Sequence, residues 1–379
     1  MLIYIVRAGD TIDGIATYFG IPVQTIIEAN QLTYPYPLAI GQALLLLTEP
    51  VQEYSRIFAN GFAYPFINSW ILEQTLPFLS ELSIFSYGFT PEGILIPPSL
   101  PVDWMIRTAL DYGCAPILTL TPFGPDGTFS NQLIHSMLTN EVSKTQLLEQ
   151  LYEAVLYQGY RGINVDFEYI LAEDRDLFTA FVSELTTQIE AIGGEVTVCL
   201  APKTSDTQQG LLYEGKDYRA LGEAATRVFV MTYEWGYTYG PPMAVAPLDK
   251  VRQVLDYAVS AISIENITMG IPNYGYDWAL PFVRGETKAT TIGNMEAVQI
   301  AIAHNATIYY DNTAQSPYFH YISDNTTHEV WFEDARSILA KYRLLREYPL
   351  FGFGCWQIMR LFRPMWLLTA ANLDEVEIL

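Results

Sequence analysis

Residues 161–170 read RGINVDFEYI, an apolar run of β type that carries two acids, Asp166 and Glu168, at alternate positions. A strand sends residues i, i+2 and i+4 to one face, so Asn164, Asp166 and Glu168 project together while Ile163, Val165 and Phe167 pack on the other side. Three polar groups on one face of a greasy strand call for an explanation beyond packing. Outward from this run, apolar strand-like segments alternate with helical patterns. Strands are expected at residues 61–64, 82–87, 116–121, 162–168, 196–202, 228–233, 267–272 and 351–356. Between them, LLEQLYEAVLYQ and DLFTAFVSELTTQIEAI show helical apolar spacing, the second through Phe178, Phe181, Val182, Leu185 and Ile189. Eight strands with helices between them predict an α/β fold, a (β/α)8 TIM barrel over residues 52–379. The stretch between the seventh and eighth strands is too long for one crossover helix and holds its own strand candidates, ATIYY and HEVWF. It reads as a small α+β insertion, about residues 276–340, on the barrel rim.

Residues 1–48 form a separate pattern: a strand LIYIV, a helix from Ile12, the turn GIP, a helix from Val23, and a strand ALLLL after IGQ. Asp10 or Thr11 can cap the first helix, Gly20 can end it, and Pro22 suits the first turn of the next. This βααβ unit resembles a LysM module over its whole length, in GDT, the Ile15-Ala16 pair, Gly20-Ile21, Asn30-Gln31-Leu32 and Ile40-Gly41-Gln42. The resemblance implies binding of glycans built from N-acetylglucosamine, in a groove between the loop Gly9, Asp10, Thr11, Ile12 and the segment leading to Ile40. A folding appendage without ligand is the bland alternative. Tyr34 and Tyr36, in a loop longer than the family expects, suit either sugar stacking or loop rigidity.

The chain has 42 Asp+Glu against 20 Lys+Arg, a net charge of −22 that repels nucleic acid and anionic membrane surfaces. A neutral or weakly charged partner is expected. No stretch reaches membrane-spanning length, and the N-terminus MLIYIVRAGDTI lacks the basic and long apolar regions of a signal peptide. Cys114, Cys199 and Cys355 are odd in number and sit in or beside apolar runs, which predicts buried free thiols and a reducing compartment. The four histidines show no metal-ligand spacing and no phosphate loop occurs, so no metal or cofactor is expected.

In a barrel of this class Glu168 would lie nearest the carboxyl end of the fourth strand, where active sites of the fold sit. Inward carboxylates two residues apart, roughly 6–7 Å between Cα atoms, perturb each other's ionisation. Glu168 is then a candidate acid and Asp166 its charged partner. An acid pair at a strand end also caps loops or satisfies buried donors, and the pair alone leaves both readings open.

RGINVDFE resembles the DGxDxDxE signature of glycoside hydrolase family 18 through Gly162, Asp166 and Glu168, with Arg161 for the first acid and Asn164 for the second. MTYEW, residues 231–235, resembles the family's MxYD motif, GIPNYGYDW its seventh-strand motif, and GFGCWQI brings Trp356 to the family's sugar-site tryptophan. The resemblance covers most of residues 55–365 and, with the preceding module, is greatest to the spore-cortex and spore-germination enzymes of endospore-forming bacteria. It implies a retaining N-acetylglucosaminidase, monomeric and located in the spore, acting on peptidoglycan without cofactor. Glu168, Asp166 and Tyr233 would be catalytic, and Asn164, Met231, Glu234, Asn273, Trp356 and Tyr87 substrate-binding. Core packing competes as the reading of Trp356. A neutral amide at Asn164 predicts a more permanently ionised Asp166. A lectin that has lost catalysis and a chitinase are the alternatives; retention of Glu168, Asp166 and Tyr233 together argues against the first, the missing signal peptide against the second.

Overall fold

In the computed structural model, which describes residues 1–48, 57–124 and 127–379, eight parallel strands close on one another. They run Phe58–Ala63, Glu81–Phe89, Ala115–Leu120, Gly162–Val165, Glu195–Leu200, Arg227–Val230, Ile267–Pro272 and Gly352–Trp356, the first pairing with both the second and the eighth. The fold is the expected TIM barrel, and the proposed start of the barrel at residue 52 lies outside the described residues.

Alternation along the fourth strand is as expected. Ile163, Val165 and Phe167 are fully buried among the helices, where the Phe167 ring stacks at 5.5 Å on Phe89 and 5.6 Å on Phe178. Burying one such ring contributes roughly 2–3 kcal/mol and fixes which way the following residues face. The strand itself is shorter than predicted. Regular pairing stops at Val165, one further bond joins Asp166 N–H to Leu120 O, and a tight turn then closes Ile170 N–H on Glu168 O at 2.9 Å. The sixth strand likewise ends at Val230, because successive short turns, Thr232 N–H to Val230 O and Tyr233 N–H to Met231 O, peel the backbone off the sheet. Both sets of functional candidates therefore stand on loops at the carboxyl mouth.

At the opposite mouth Arg227 lies between the rings of Phe58 and Phe351 and pairs with Glu81 at 2.6 Å and with Glu195. Burial pushes the Glu81 carboxyl up to about 7 despite that guanidinium. Arg161 lines the cavity of about 460 Å³ at this end, remote from the acids that follow it on the same strand.

After the seventh strand comes a five-stranded antiparallel sheet, Thr290–Ile292, Gly275–Ala279, Thr326–Trp331, Ser316–Ser323 and Tyr309–Asp311 in spatial order, with helix Asn294–Ala303 against it. This is the α+β insertion. The N-terminal unit folds as strand Leu2–Ile5, helices Ile12–Phe19 and Val23–Asn30, and strand Ala43–Leu46, with Thr11 Oγ1 capping Gly14 N–H and Gly20 ending the first helix in the left-handed region. One feature has no pattern in the sequence: Glu377–Ile378, two residues at the end of the chain, pair in parallel with Leu2–Ile3 and complete a three-stranded sheet. The module is further held on the barrel by Gln31, whose side chain donates to Leu361 O and accepts from Arg363 N–H, and on the insertion by Ile308 N–H to Ile40 O.

Candidate active site

Asn164, Asp166 and Glu168 converge at the mouth of the barrel. Asn164 is fully buried and Asp166 nearly so, while Glu168 is half-buried. The Cys199 thiol, on the neighbouring fifth strand, donates to Asn164 Oδ1 at 3.3 Å. Asn164 Nδ2, Asp166 Oδ1 and the hydroxyl of Thr119, which is opposite Asn164 in the sheet, have no hydrogen-bond partner among the described residues. Buried polar groups are normally satisfied, so unpaired capacity concentrated here marks a place prepared for another molecule.

Burial is the main force on the acids. It pushes Asp166 up to about 7, with the Glu168 charge adding to the rise and the Lys216 ammonium and Cys199 thiol opposing it. Burial raises Glu168 as well, again opposed by Lys216. An amide at Asn164 puts no like charge beside Asp166, and the rise that remains comes from the dry surroundings and from Glu168. Burial thus favours the protonated form of both carboxyls, and the Glu168 charge further disfavours ionising Asp166 beside it, a setting in which one member of the pair can donate a proton while the other stays charged.

Tyr233 lies buried beside the pair, and burial, with Cys199, Asp166 and Glu168 as further causes, drives its phenol well above the ordinary value, so it stays a donor. Its place depends on Gly270 of the seventh strand, where a Cβ would come within 2.7 Å of the Tyr233 ring. Glu234 follows with a left-handed backbone, φ 70°, that turns its carboxylate toward the insertion. There Tyr276 donates to Oε1 at 3.0 Å and Tyr274 donates to the same oxygen. These two tyrosines belong to the GIPNYGYDW stretch but were not singled out by sequence; their alternate spacing on either side of Gly275 was the available signal. Met231 is half-buried at the strand end and packs on the core.

The Trp356 ring, half-buried, stands edge-on to Phe85 at 5.0 Å and Phe62 at 5.7 Å. Tyr64 is next, at 6.1 Å, and its phenol is raised by burial and by the Asp166 charge. Tyr64 and Phe85 also line a cleft of about 390 Å³ walled by Phe66, Ile96, Leu100 and Phe123. The apolar cleft shares Tyr64 and Phe85 with the surroundings of Trp356, and Tyr64 is near enough to Asp166 to feel its charge.

Three expected contacts are placed elsewhere. Tyr87 faces the helical layer, where its hydroxyl accepts from Tyr160 at 3.1 Å and donates to Gln158 at 3.3 Å, because an irregularity between Phe85 and Tyr87 breaks the alternation of the second strand. Asn273 is 2 % exposed and spends Nδ2 on Gln357 O and Arg360 O and Oδ1 on Asn294, so it braces the loop after the eighth strand. In the N-terminal module Ile12 is buried in the module's own core, whereas Gly9, Thr11 and Ile40 are exposed. Asp10 accepts from Arg7 N–H at 2.7 Å and from the Tyr4 hydroxyl at 2.8 Å. Among the described residues no group of His, Cys, Asp and Glu is arranged to hold a metal ion, and no helix is long and apolar enough to cross a membrane.

Comparison with known proteins adds two matches along the chain. Residues 124–360 match the family described as Glycosyl hydrolases family 18, and residues 4–46 match the LysM domain. The chain is 37% identical to the cortical fragment-lytic enzyme of Bacillus subtilis (strain 168), covering 100% of this chain and 99% of that protein. Among solved structures it resembles the spore cortex-lytic enzyme SleL of Bacillus megaterium QM B1551, with 32% identity, TM-score 0.91 and coverage of 100% and 98%. The Bacillus cereus SleL structure superposes with TM-score 0.92 at 29% identity, covering 100% of this chain and 98% of the other.

Proposed function

The chain belongs to glycosyl hydrolases family 18 and is a glycoside hydrolase with a LysM domain, and from that premise we propose that it cleaves β-1,4 bonds next to N-acetylglucosamine in spore cortex peptidoglycan, with retention of configuration. The observation that carries the reading is the convergence of Asp166, Glu168 and Tyr233 in one dry site, where burial raises all three groups. The relatives named as cortex-lytic support the choice of substrate and a location in the spore.

The substrate's own 2-acetamido oxygen attacks the anomeric carbon, so the chain needs no nucleophile of its own, an exception to the two-carboxylate scheme. Glu168 gives its proton to the glycosidic oxygen as the C–O bond breaks. It then takes a proton from the water that opens the oxazolinium ion. Asp166, whose Oδ1 is unpaired, accepts the acetamide N–H and stabilises the developing positive charge. Tyr233 donates to the acetamide oxygen and orients it. Trp356 forms the floor under the sugar ring, and Glu234, held by Tyr274 and Tyr276, accepts from a sugar hydroxyl. The LysM domain adds affinity for the same polymer through Gly9, Asp10, Thr11 and Ile40.

Digestion of purified spore cortex and of chitin oligomers by the wild type and by Glu168→Gln, with mass analysis of the fragments, tests the reading. Release of fragments ending in reducing N-acetylglucosamine is expected from cortex, with a loss of about 10²–10⁴-fold in the variant. Equal turnover by the variant refutes the mechanism; binding without turnover by the wild type on every substrate favours a lectin.

A further inference from the structure

A second charged group stands in the site that no sequence motif singles out. Lys216 is 1 % exposed, and its ammonium donates to Cys199 O at 2.9 Å. Its backbone is locked from two sides. Lys203 Nζ donates to Lys216 O at 3.1 Å, and Gly215 is pressed so closely on Ile170 O, at 2.4 Å for a Cβ, that only glycine fits. The next residue, Asp217, caps helix Tyr218–Ala224 and pairs with Arg175 at 2.5 Å. The side chain is therefore set in place by the scaffold before any substrate arrives.

A buried ammonium with one hydrogen bond is costly unless negative charge faces it. Burial lowers the Lys216 ammonium below its ordinary value; Asp166 and Glu168, from the loop after the fourth strand, and Cys199, from the fifth, oppose that fall without forming a direct ion pair among the described residues. Lys203 touches it only through the backbone oxygen; Tyr233 and Glu234, from the sixth strand's loop, feel the Glu168 charge and are not among the groups that act on Lys216. The match is electrostatic. A pair holding one proton carries one negative charge, and Lys216 supplies one positive charge. Because Asn164 is neutral, no third acid on the strand shares that proton.

We propose that Lys216 is a positioning residue for glycoside hydrolysis: an internal cation, seated on the Cys199 carbonyl, that favours ionisation of the Asp166–Glu168 pair and so sets the pH range in which one of the two acids is charged. It touches neither substrate nor scissile bond. It acts by setting the protonation of the two groups that do, and so rests on the roles given to them above.

Lys216→Gln keeps an N–H donor for Cys199 O and removes only the charge; Lys216→Met removes both. In the full-length chain, kcat/KM on a soluble N-acetylglucosamine glycoside is measured against pH for both variants. Each bell is expected to move to higher pH by about one unit on both limbs, about tenfold on the acidic side, with activity regained as pH rises. A second readout needs no turnover: the 13C carboxyl signal of Asp166, assigned by its loss in Asp166→Asn, titrates near 7 in the wild type and at least one unit higher in Lys216→Gln. Limbs and titration that stay at their wild-type positions overturn the role of Lys216. A wild type that shows the titration but no turnover leaves Lys216 supported and overturns the catalytic reading instead.

Discussion

The Cys199 thiol donates to Asn164 Oδ1 at 3.3 Å, while Asn164 Nδ2 has no partner among the described residues. The amide is thus held by one end, beside an acid whose own Oδ1 is unpaired. Asn164→Asp would place a third carboxyl in a space where burial has raised Asp166 to about 7. A like charge there disfavours ionisation of Asp166. The acidic limb of kcat/KM is expected to move up by about one unit, costing about tenfold at pH 6, with the alkaline plateau less affected. A pH profile superposable on the wild type contradicts this.

The same buried acid has a stability signature. Asp166 is near 7 in the folded chain and at the ordinary carboxyl value in the unfolded one. Between about pH 4 and 7 the folded state therefore holds a proton that the unfolded state has released, and stability falls as pH rises through that window. Asp166→Asn removes this loss. Its Tm should match the wild type near pH 4 and exceed it by about 2–5 °C at pH 8, with catalysis abolished. Scanning calorimetry at the two pH values decides the sign. A variant equally or less stable at pH 8 shows that the carboxyl is not strained by burial.

Tyr233 is placed by Gly270, so the two positions should fail alike. Tyr233→Phe removes the donor proposed for the acetamide oxygen and should lower kcat and kcat/KM by about 10²-fold with KM little changed. Gly270→Ala leaves the phenol intact but puts a methyl 2.7 Å from the ring and 2.9 Å from Val230 O. It should lose a comparable factor in kcat although it touches no substrate. Unchanged kcat in a folded Gly270→Ala protein means that Tyr233 does not depend on that close approach.

Much of this molecule is legible in its sequence because barrel strands repeat one physical problem eight times, a short apolar run between helices with 3.6-residue spacing. The acids are legible for the converse reason: Asp166 and Glu168 break that greasiness at strand spacing. What is not legible depends on register or on distance along the chain. Tyr87 has the right place in a pattern, and a single irregularity before it turns the ring to the helices. Asn273 sits in a motif, yet its hydrogen bonds go to backbone some 84 and 87 residues away. Lys216 lies in a loop with no periodicity, and only the fold seats its ammonium on Cys199 of the fifth strand. Glu377–Ile378 is too short a strand to leave a pattern.

That last strand bears on how the LysM domain works, because the domain is docked and not merely tethered. Gly41 is the point of closest approach: its φ is 82°, and a Cβ would stand 1.9 Å from Ile308 O of the insertion. Arg336, paired with Asp334 at 2.7 Å, donates to Gly41 O on the same contact. Gly41→Ala should cost about 1–3 kcal/mol of local strain, which the module can relieve by leaving the insertion. If a fixed orientation of module and barrel aligns one glycan strand with the active site, this variant should turn over a soluble substrate at the wild-type rate. On insoluble peptidoglycan its rate should fall by about three- to tenfold, with binding to the polymer retained. Limited proteolysis checks that the module has come loose. Equal rates on the insoluble polymer, in a variant so loosened, mean that the module contributes affinity alone and that its docking has no part in the reaction.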